Sequence, residues 1–344
     1  MLLDSLQILL YDRNRNKTGR NCQNTIIQKG AICPMPQRLT PITTRQHMAG
    51  RPYEVHRSRE AYYNEWTLHH HDFYEVYLCL SGSMDYIVDN RIYHVTTGDI
   101  LIISPNELHQ PMFGDRAMNF DRIVLWVDRA YLERTINFGP ALNRCFERAS
   151  SQQSNLLRTD SSAMQLMQAL LENINTELEK RQFAYELTAD TCLIQFMILL
   201  NRLEEKGGQS LEMLDRSGSV VGKVLAYINE HYREDLSLDM LANQFFISKY
   251  HLSREFNRLV GTSVYRYITQ KRLVVAKQML TEGVPSSEAF QHCGFGDYSS
   301  FYRAFRSEYQ ISPKEFVSKL KQATAMAQAR AERMGMPMRP EENS

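Results

Sequence analysis

An internal repeat in the last third of the chain limits its folding most. Leu252, Arg254 and Phe256 recur as Phe301, Arg303 and Phe305, each 49 positions later. Apolar residues four apart mark one face of a helix. Each of these helices is preceded by a residue suited to cap it, Ser248 in the first copy and Asp297 in the second. Such side-chain oxygens accept from backbone N–H groups that a first turn leaves unpaired. Leu238, Leu241 and Ala242 predict a short helix before the first copy, closed by Ile247, and Phe295 stands in the matching place of the second. Each copy therefore reads as helix, tight turn, helix, the geometry in which a second helix fits the major groove of DNA. The outer faces of the second helices carry Lys249, Tyr250, Ser253 and Arg254, then Tyr298, Ser299, Tyr302 and Arg303. These are the candidate DNA-contacting residues. Arginine suits bidentate contact with guanine, whereas Lys, Ser and Tyr more often hold phosphates or make single contacts. The alternative is that both arginines contact only phosphates or pair with neighbouring acids. Between the copies, Val264 to Leu280 predicts a long helix with Tyr267, Leu273, Ala276 and Leu280 on its inner side. At about 1.5 Å per residue it spans about 25 Å, enough to set two readers in successive grooves.

Charge permits such a partner without demanding it. The formal net charge is +1, but residues 220–321 hold 14 Lys and Arg against 10 Asp and Glu, a balance compatible with a polyanion. Cys22, Cys33, Cys79, Cys145, Cys192 and Cys293 are scattered without a Cys-x-x-Cys pair. This argues against a zinc cage or a disulfide framework and for a reducing compartment. No apolar run approaches the roughly 18 residues that span a membrane. Met1 to Leu10 carries Asp4 and lacks the basic start of a signal peptide. A cytoplasmic protein without membrane contact is expected. No Ser/His/Asp arrangement and no Gly-rich phosphate loop offers a route to enzymatic function.

The 344 residues leave room for a second domain. Residues 1–47, basic at Arg13 to Arg20 and broken by Pro34, Pro36 and Pro41, read as a poorly ordered extension, with Met48 as an alternative start. From about Tyr53 the pattern turns to short β-rich runs: Phe73 to Leu80, Met84 to Val88, Arg91 to Val95, Ile100 to Ser104 and Asp121 to Val127. Turn residues separate them, and Asp89-Asn90 suits a tight hairpin because both tolerate positive φ. Many short antiparallel strands predict a β-barrel or sandwich. Ala163 to Leu178 and Leu187 to Leu203 predict helices, with Leu166, Leu170, Leu171 and Ile174 on one apolar face and Leu193, Phe196, Met197 and Leu200 on the other. They pack on the barrel or form part of a dimer interface. The expected domains are a sensing and dimerisation unit at 48–206, a linker at 207–219, a DNA-binding domain at 220–321 and a flexible tail at 322–344.

Residues from about Val220 to Leu320 resemble the DNA-binding domain of the AraC/XylS family of bacterial regulators. Leu241-Ala242, Ser248, Leu252, Phe256 and Gly261 carry the resemblance in the first unit. Tyr267, Arg272, Ala276 and Leu280 carry it in the connecting helix, and Cys293-Gly294-Phe295, Ser299, Phe301, Arg303, Phe305 and Ser312-Pro313 in the second unit. Ser312-Pro313-Lys314-Glu315 is also a capping box with proline at the first helical position. The second unit departs from the pattern. Ser286, Ala289 and Phe290 stand where the family presents a bulky apolar residue, then Ile-Ala, and Gln310 replaces a usual glycine. Exchanging large and small residues at such positions predicts overpacking and an altered docking angle.

Residues Leu68 to Pro111 resemble the cupin-type sensor attached to many members, through His69-His70-His71-Asp72-Phe73-Tyr74-Glu75, Gly82, Gly98-Asp99, Pro105 and His109. In a strand, His69, His71, Phe73 and Glu75 would share a face, and His109 would join them from another strand. That set is also the ligand set of metal-binding cupins and suits Fe, Mn or Zn. Its second half is incomplete, because Pro105-Asn106-Glu107-Leu108-His109 lacks the Gly and is one residue short. The family resemblance implies a small-molecule pocket lined by His69, His71, Glu75 and His109, with no metal and no other cofactor. Structural hydrogen bonding and metal binding are the alternatives, and Tyr86, Tyr93 and Trp126 are candidate aromatic faces.

The fold expected is α+β and multidomain, a cupin-like β-barrel with flanking helices followed by an all-α domain with two helix-turn-helix units. The function expected is sequence-specific transcription regulation in response to a small molecule, a sugar or related metabolite by family analogy. Its expected partners are a double-stranded DNA operator, a second copy of the chain and, for an activator, RNA polymerase. The rivals are a metal-dependent cupin enzyme fused to a DNA-binding domain, and an interaction module that dimerises and senses nothing.

Overall fold

A computed structural model describes residues 48–60, 68–112, 120–134, 141–152, 154–206 and 219–333. The expected extension at 1–47, nearly all of the linker and the end of the tail lie outside the described residues.

Eight antiparallel strands build the first domain: β1 (Tyr53–Glu60), β2 (Tyr74–Ser81), β3 (Ser83–Val88), β4 (Arg91–Thr96), β5 (Asp99–Ile103), β6 (His109–Pro111), β7 (Phe120–Val127) and β8 (Leu156–Arg158). They form a five-stranded sheet of order β1-β7-β2-β5-β8 and a three-stranded sheet of order β4-β3-β6. The described strands thus make two cupin-like sheets rather than a closed barrel. Alternation along β2 explains why both of its faces are buried. Tyr77 and Cys79 meet Met84, Tyr86 and Tyr93 of the smaller sheet, while Tyr74, Val76 and Leu78 meet the helical layer. The two-residue Asp89-Asn90 hairpin is present, with Val88 paired to Arg91. Asp89 has positive φ, at 49°, and Asn90 does not. The five expected strands appear within a residue of their expected ends. β1, β6 and β8 are not among the expected strands; β6 and β8 have three residues apiece, too short a pattern to read, and β6 contains a proline.

Helices α1 (Arg129–Arg134), α2 (Arg144–Gln152), α3 (Ser161–Lys180) and α4 (Tyr185–Glu205) cover the larger sheet. Leu170, Leu171, Ile174, Leu193, Phe196, Met197 and Leu200 are buried there as their spacing implies. Leu166 is not, being 51% exposed, and Leu187 and Phe183 near the α3–α4 turn are exposed too.

The second domain comprises α5 (Val220–His231), α6 (Leu238–Gln244), α7 (Lys249–Val260), α8 (Val264–Thr281), α9 (Ser286–His292), α10 (Tyr298–Tyr309) and α11 (Pro313–Arg333). The repeat is real in three dimensions. Ser248 and Asp297 cap α7 and α10, each accepting from the N–H three residues on. Leu252 and Phe256 are buried in one core, Phe301 and Phe305 in another. The turn before each second helix passes through positive φ, at Phe246 (54°) and at Gly294 (83°). The exchanged residues of the second unit fit without crowding. Ala289 takes the buried place, while Phe290 stays at the rim with its ring against Tyr298 and Phe301. Ser312 and Glu315 bond each other's backbone N–H at the start of α11, which continues past Gln322 to Arg333.

Candidate effector pocket and nucleic-acid interface

The four polar groups expected to line a pocket do converge, but not from a single strand as expected. β2 begins at Tyr74, and the chain bends at Asp72 and Phe73, where the His71 Nδ1–H donates to the Phe73 carbonyl at 2.9 Å. That bond folds the chain back, so the His71 ring stacks on Phe73 at 3.8 Å between centroids. Before the bend, His69 pairs with His109 of β6 in an isolated antiparallel bridge. His69, His71, Glu75 and His109 are all buried.

Hydrogen bonding sets the chemistry of this cluster. Glu75 Oε2 accepts from His71 Nε2 and from the Trp126 indole N–H, both at 2.9 Å. His109 turns Nδ1 to the Glu107 carbonyl at 2.8 Å, which requires that nitrogen to carry the proton and leaves Nε2 as the lone-pair side. His109 Nε2 is buried without a hydrogen-bond partner and lies 3.9 Å from Glu75 Oε2. Burial first, then repulsion from His69 and His71, holds the His109 imidazole well below the usual histidine range against the Glu107 bond. Burial pushes the Glu75 carboxyl up, but the His71 hydrogen bond and the charges of His71, His69 and Arg122 outweigh it, and the net direction is down. An acidic, anionic carboxylate beside a neutral imidazole results. One ligand atom from each of His71, Glu75 and His109 lies within 4.8 Å of the others. This donor set fits a divalent transition-metal ion: these three residues would hold it, and it would act there as a Lewis acid for oxygen ligands. Of the aromatic candidates, Trp126 borders the cluster and the Tyr86 ring lies 6.4 Å from His109. Tyr93 points elsewhere, its hydroxyl bonded to Asn155 at 3.0 Å.

The residues between the cluster's members point the other way, into the second domain. The His70 ring faces Tyr309 at 6.1 Å, Asp72 pairs with Lys277 at 3.3 Å, and the Gln110 amide donates to the Val260 carbonyl at the end of α7 at 2.6 Å. Leu68 and Leu108 are buried in one core with Val221, Leu225, Phe256 and Tyr267. The β3–β4 hairpin docks on α8, with the Tyr267 hydroxyl donating to the Asp89 carbonyl at 2.7 Å and Lys271 pairing with its carboxylate at 3.1 Å. Sequence reasoning missed these contacts. The signal was present in the polar character of alternate positions, but nothing in it named the partner.

In the second domain, Lys249, Tyr250, Ser253, Arg254, Tyr298, Ser299 and Arg303 are exposed, and Tyr302 is half-buried. Arg254 is 3.9 Å from Glu255, and Arg303 donates to the Ser300 hydroxyl on its own helix and interacts with the Asp297 carboxylate. Lys249 pairs with Asp239 at 3.1 Å. Both arginines thus stand exposed on second helices, with partners close by in sequence.

Two domain families match in the same order. The AraC-like ligand binding domain covers residues 52–197, and a helix-turn-helix domain covers residues 241–319. This chain belongs to the AraC family of transcription regulators. The HTH-type transcriptional activator RhaS of Escherichia coli is 23% identical over 249 residues, covering 72% of this chain and 86% of that one. Among solved structures, ToxT from Vibrio cholerae O395 is similar at 13% identity over 78% of this chain and 98% of that one, with a TM-score of 0.31. The DNA-binding domain of AdpA in complex with a target DNA is similar at 24% identity over 28% of this chain and 89% of that one, with a TM-score of 0.28. The regulator therefore pairs an effector-binding domain with a DNA-binding domain. Among the described residues, no helix is long and apolar enough to cross a membrane.

Proposed function

We propose that the regulator takes a sugar or related metabolite at His69, His71, Glu75 and His109, and that occupancy there governs how DNA is held. The alternation of the two site segments supports this. His69, His71 and His109 face the cluster, and His70, Asp72, Leu108 and Gln110 face the DNA-binding domain. A ligand that moves the first set moves the second, one peptide away. Trp126 and Tyr86 supply aromatic faces beside the polar groups, a pairing that suits a polyhydroxylated ring. Arg254 and Arg303 read bases while Lys249, Tyr250, Ser253, Tyr298, Ser299 and Tyr302 hold the backbone. The 18 residues of α8 separate the readers by about 27 Å at about 1.5 Å per residue. The sensor occupies 48–206, the linker 207–219 and the DNA-binding domain 220–321. Two copies pair through exposed apolar residues of the α3–α4 hairpin, Leu166, Phe183 and Leu187. The regulator works in the cytoplasm without an enzymatic step; the name of its Escherichia coli relative, a transcriptional activator, favours activation, and an activator would have RNA polymerase as a further partner.

A thermal-shift screen against sugars, followed by binding to duplexes from the regulator's own promoter region, tests this reading. Glu75→Gln is expected to weaken the response to the effector while leaving effector-free DNA affinity in place. A variant that responds like the native chain would overturn the assignment of the pocket.

A further inference from the structure

We propose that His71, Glu75 and His109 bind a divalent first-row transition-metal ion, and that the DNA-binding domain reads its occupancy through Gln110 and Asp72. This rests on the reading of the same cluster as the sensing site and names what sits at its centre.

Three observations carry the metal. First, both ring nitrogens of His71 face acceptors, Nδ1 the Phe73 carbonyl and Nε2 the Glu75 carboxylate, each at 2.9 Å. A cation must therefore lie on the Nε2 side, either a proton or a metal ion. Second, His109 Nε2 is a buried nitrogen with no hydrogen-bond partner, 3.9 Å from the same Glu75 oxygen. Buried polar atoms are rarely left so, and a metal ion satisfies such a lone pair as a donated hydrogen would. Third, each of these imidazoles bonds a backbone carbonyl through Nδ1, at 2.9 and 2.8 Å. This is the outer hydrogen bonding that orients a ligating histidine and fixes its tautomer. Ligands about 2.0–2.2 Å from one ion stand roughly 3–4 Å apart; Glu75 Oε2 lies 2.9 Å from His71 Nε2 and 3.9 Å from His109 Nε2, and all three atoms lie within 4.8 Å of one another. Imidazole donors favour Fe, Co, Ni, Cu or Zn over Mg and Ca. Vicinal oxygens of a polyol or hydroxy acid would occupy remaining positions on the ion, which reconciles a metal with a metabolite effector.

Read-out follows from covalent adjacency. Gln110 is the next residue after His109, and its amide bonds the last carbonyl of α7 at 2.6 Å. Asp72 follows His71 and pairs with the buried Lys277 of α8 at 3.3 Å. Fixing the two imidazoles on one ion fixes the backbone from which both docking contacts project.

The full-length regulator, stripped with chelator, would be titrated with Zn(II), Co(II), Mn(II) and Mg(II) chlorides separately. Metal content, the visible spectrum of the Co(II) form and amide hydrogen exchange would be read. Expected are one equivalent of Zn(II) or Co(II) per chain, none of Mg(II), and slowed exchange in residues 108–111, at the end of α7 and along α8. Glu75→Gln preserves shape and is expected to cut affinity at least tenfold, as is His109→Ala. Gln110→Leu is expected to keep the metal but lose the slowed exchange at the end of α7. Binding indifferent to Glu75→Gln and His109→Ala, or absent from a folded native chain, would overturn the metal site. Full binding without any change in the DNA-binding domain would overturn the read-out. A metal-free chain that still binds promoter DNA and responds to a sugar defeats this proposal and leaves the general function standing. Loss of that response in metal-replete protein defeats the general function instead.

Discussion

Gly294 shows how much a single residue can be asked to do. Its φ is +83°, and a Cβ there would lie 2.7 Å from the Arg233 Cα, the Arg233 carbonyl oxygen and the Tyr232 carbonyl oxygen. Both the conformation and the space therefore require glycine. Gly294→Ala is expected to cost more than about 2 kcal/mol and to disable the second helix-turn-helix unit, measurable by denaturant unfolding. Gln310 poses the opposite case. It ends α10 in the left-handed region at φ 59°, where glycine carries no Cβ penalty, so Gln310→Gly is expected to gain roughly 0.5–1 kcal/mol. A drop in midpoint would contradict that account. Arg254 and Arg303 stand exposed on equivalent faces. Each arginine→Ala substitution is expected to cost about 1–3 kcal/mol of DNA affinity and relax specificity at positions about one helical turn apart. Binding-site selection tests this, and a uniform loss with only a shallower salt slope would make both arginines phosphate contacts.

Among elements, the β5–β6 loop carries an unusual charge. Glu107 accepts from the Ser104 N–H and from the Ser150 and Asn155 side chains. Burial first, then the nearby Asp89 charge, pushes its carboxyl up from 4.5 to about 7, against the pull of Lys271. A carboxyl raised on folding contributes fully below its unfolded value, and that contribution is lost as pH rises through the folded one. Stability of the native chain is thus expected to fall, relative to Glu107→Gln, between about pH 4.5 and pH 7. Matched unfolding curves at pH 4.5, 6 and 8 measure it, and a constant difference would remove the buried charge as a cause. The elements most legible in sequence were those with a repeated period, α7, α10 and the strands β2, β3, β4, β5 and β7. β6, which carries His109 and Gln110, has no such period, because three residues held by a neighbouring hairpin need no propensity of their own.

At the scale of the whole molecule, the two domains share a core. Leu68, Ile87 and Leu108 of the sensor are buried together with Val221, Leu241, Phe256 and Tyr267. Leu108→Ala is expected to cost about 2–5 kcal/mol and to split one cooperative melting transition into two. A single unchanged transition would show that the domains melt as one for other reasons. The joint also explains why sensing and DNA binding lie in one chain. The histidine–glutamate cluster and the docking surface are opposite faces of the same short segments, so neither can shift by itself.

The sequence by itself determined the local features: caps at Ser248, Asp297 and Ser312, the paired anchors Leu252/Phe256 and Phe301/Phe305, and the alternation that buries β2 on both faces. These follow from the period and chemistry of neighbouring residues, which need no knowledge of distant ones. It also marked His69, His71, Glu75 and His109 as a group. What they do together was decided in three dimensions. The partners Val260, Lys277 and Tyr309 lie 150 or more residues along the chain from Gln110, Asp72 and His70. Alternation says that one face is buried and the next is not exposed, but only the assembled fold says against what. The swap at Ala289 and Phe290 makes the same point. Crowding expected from residue volumes is absent, because the rim beside Tyr298 has room for the ring.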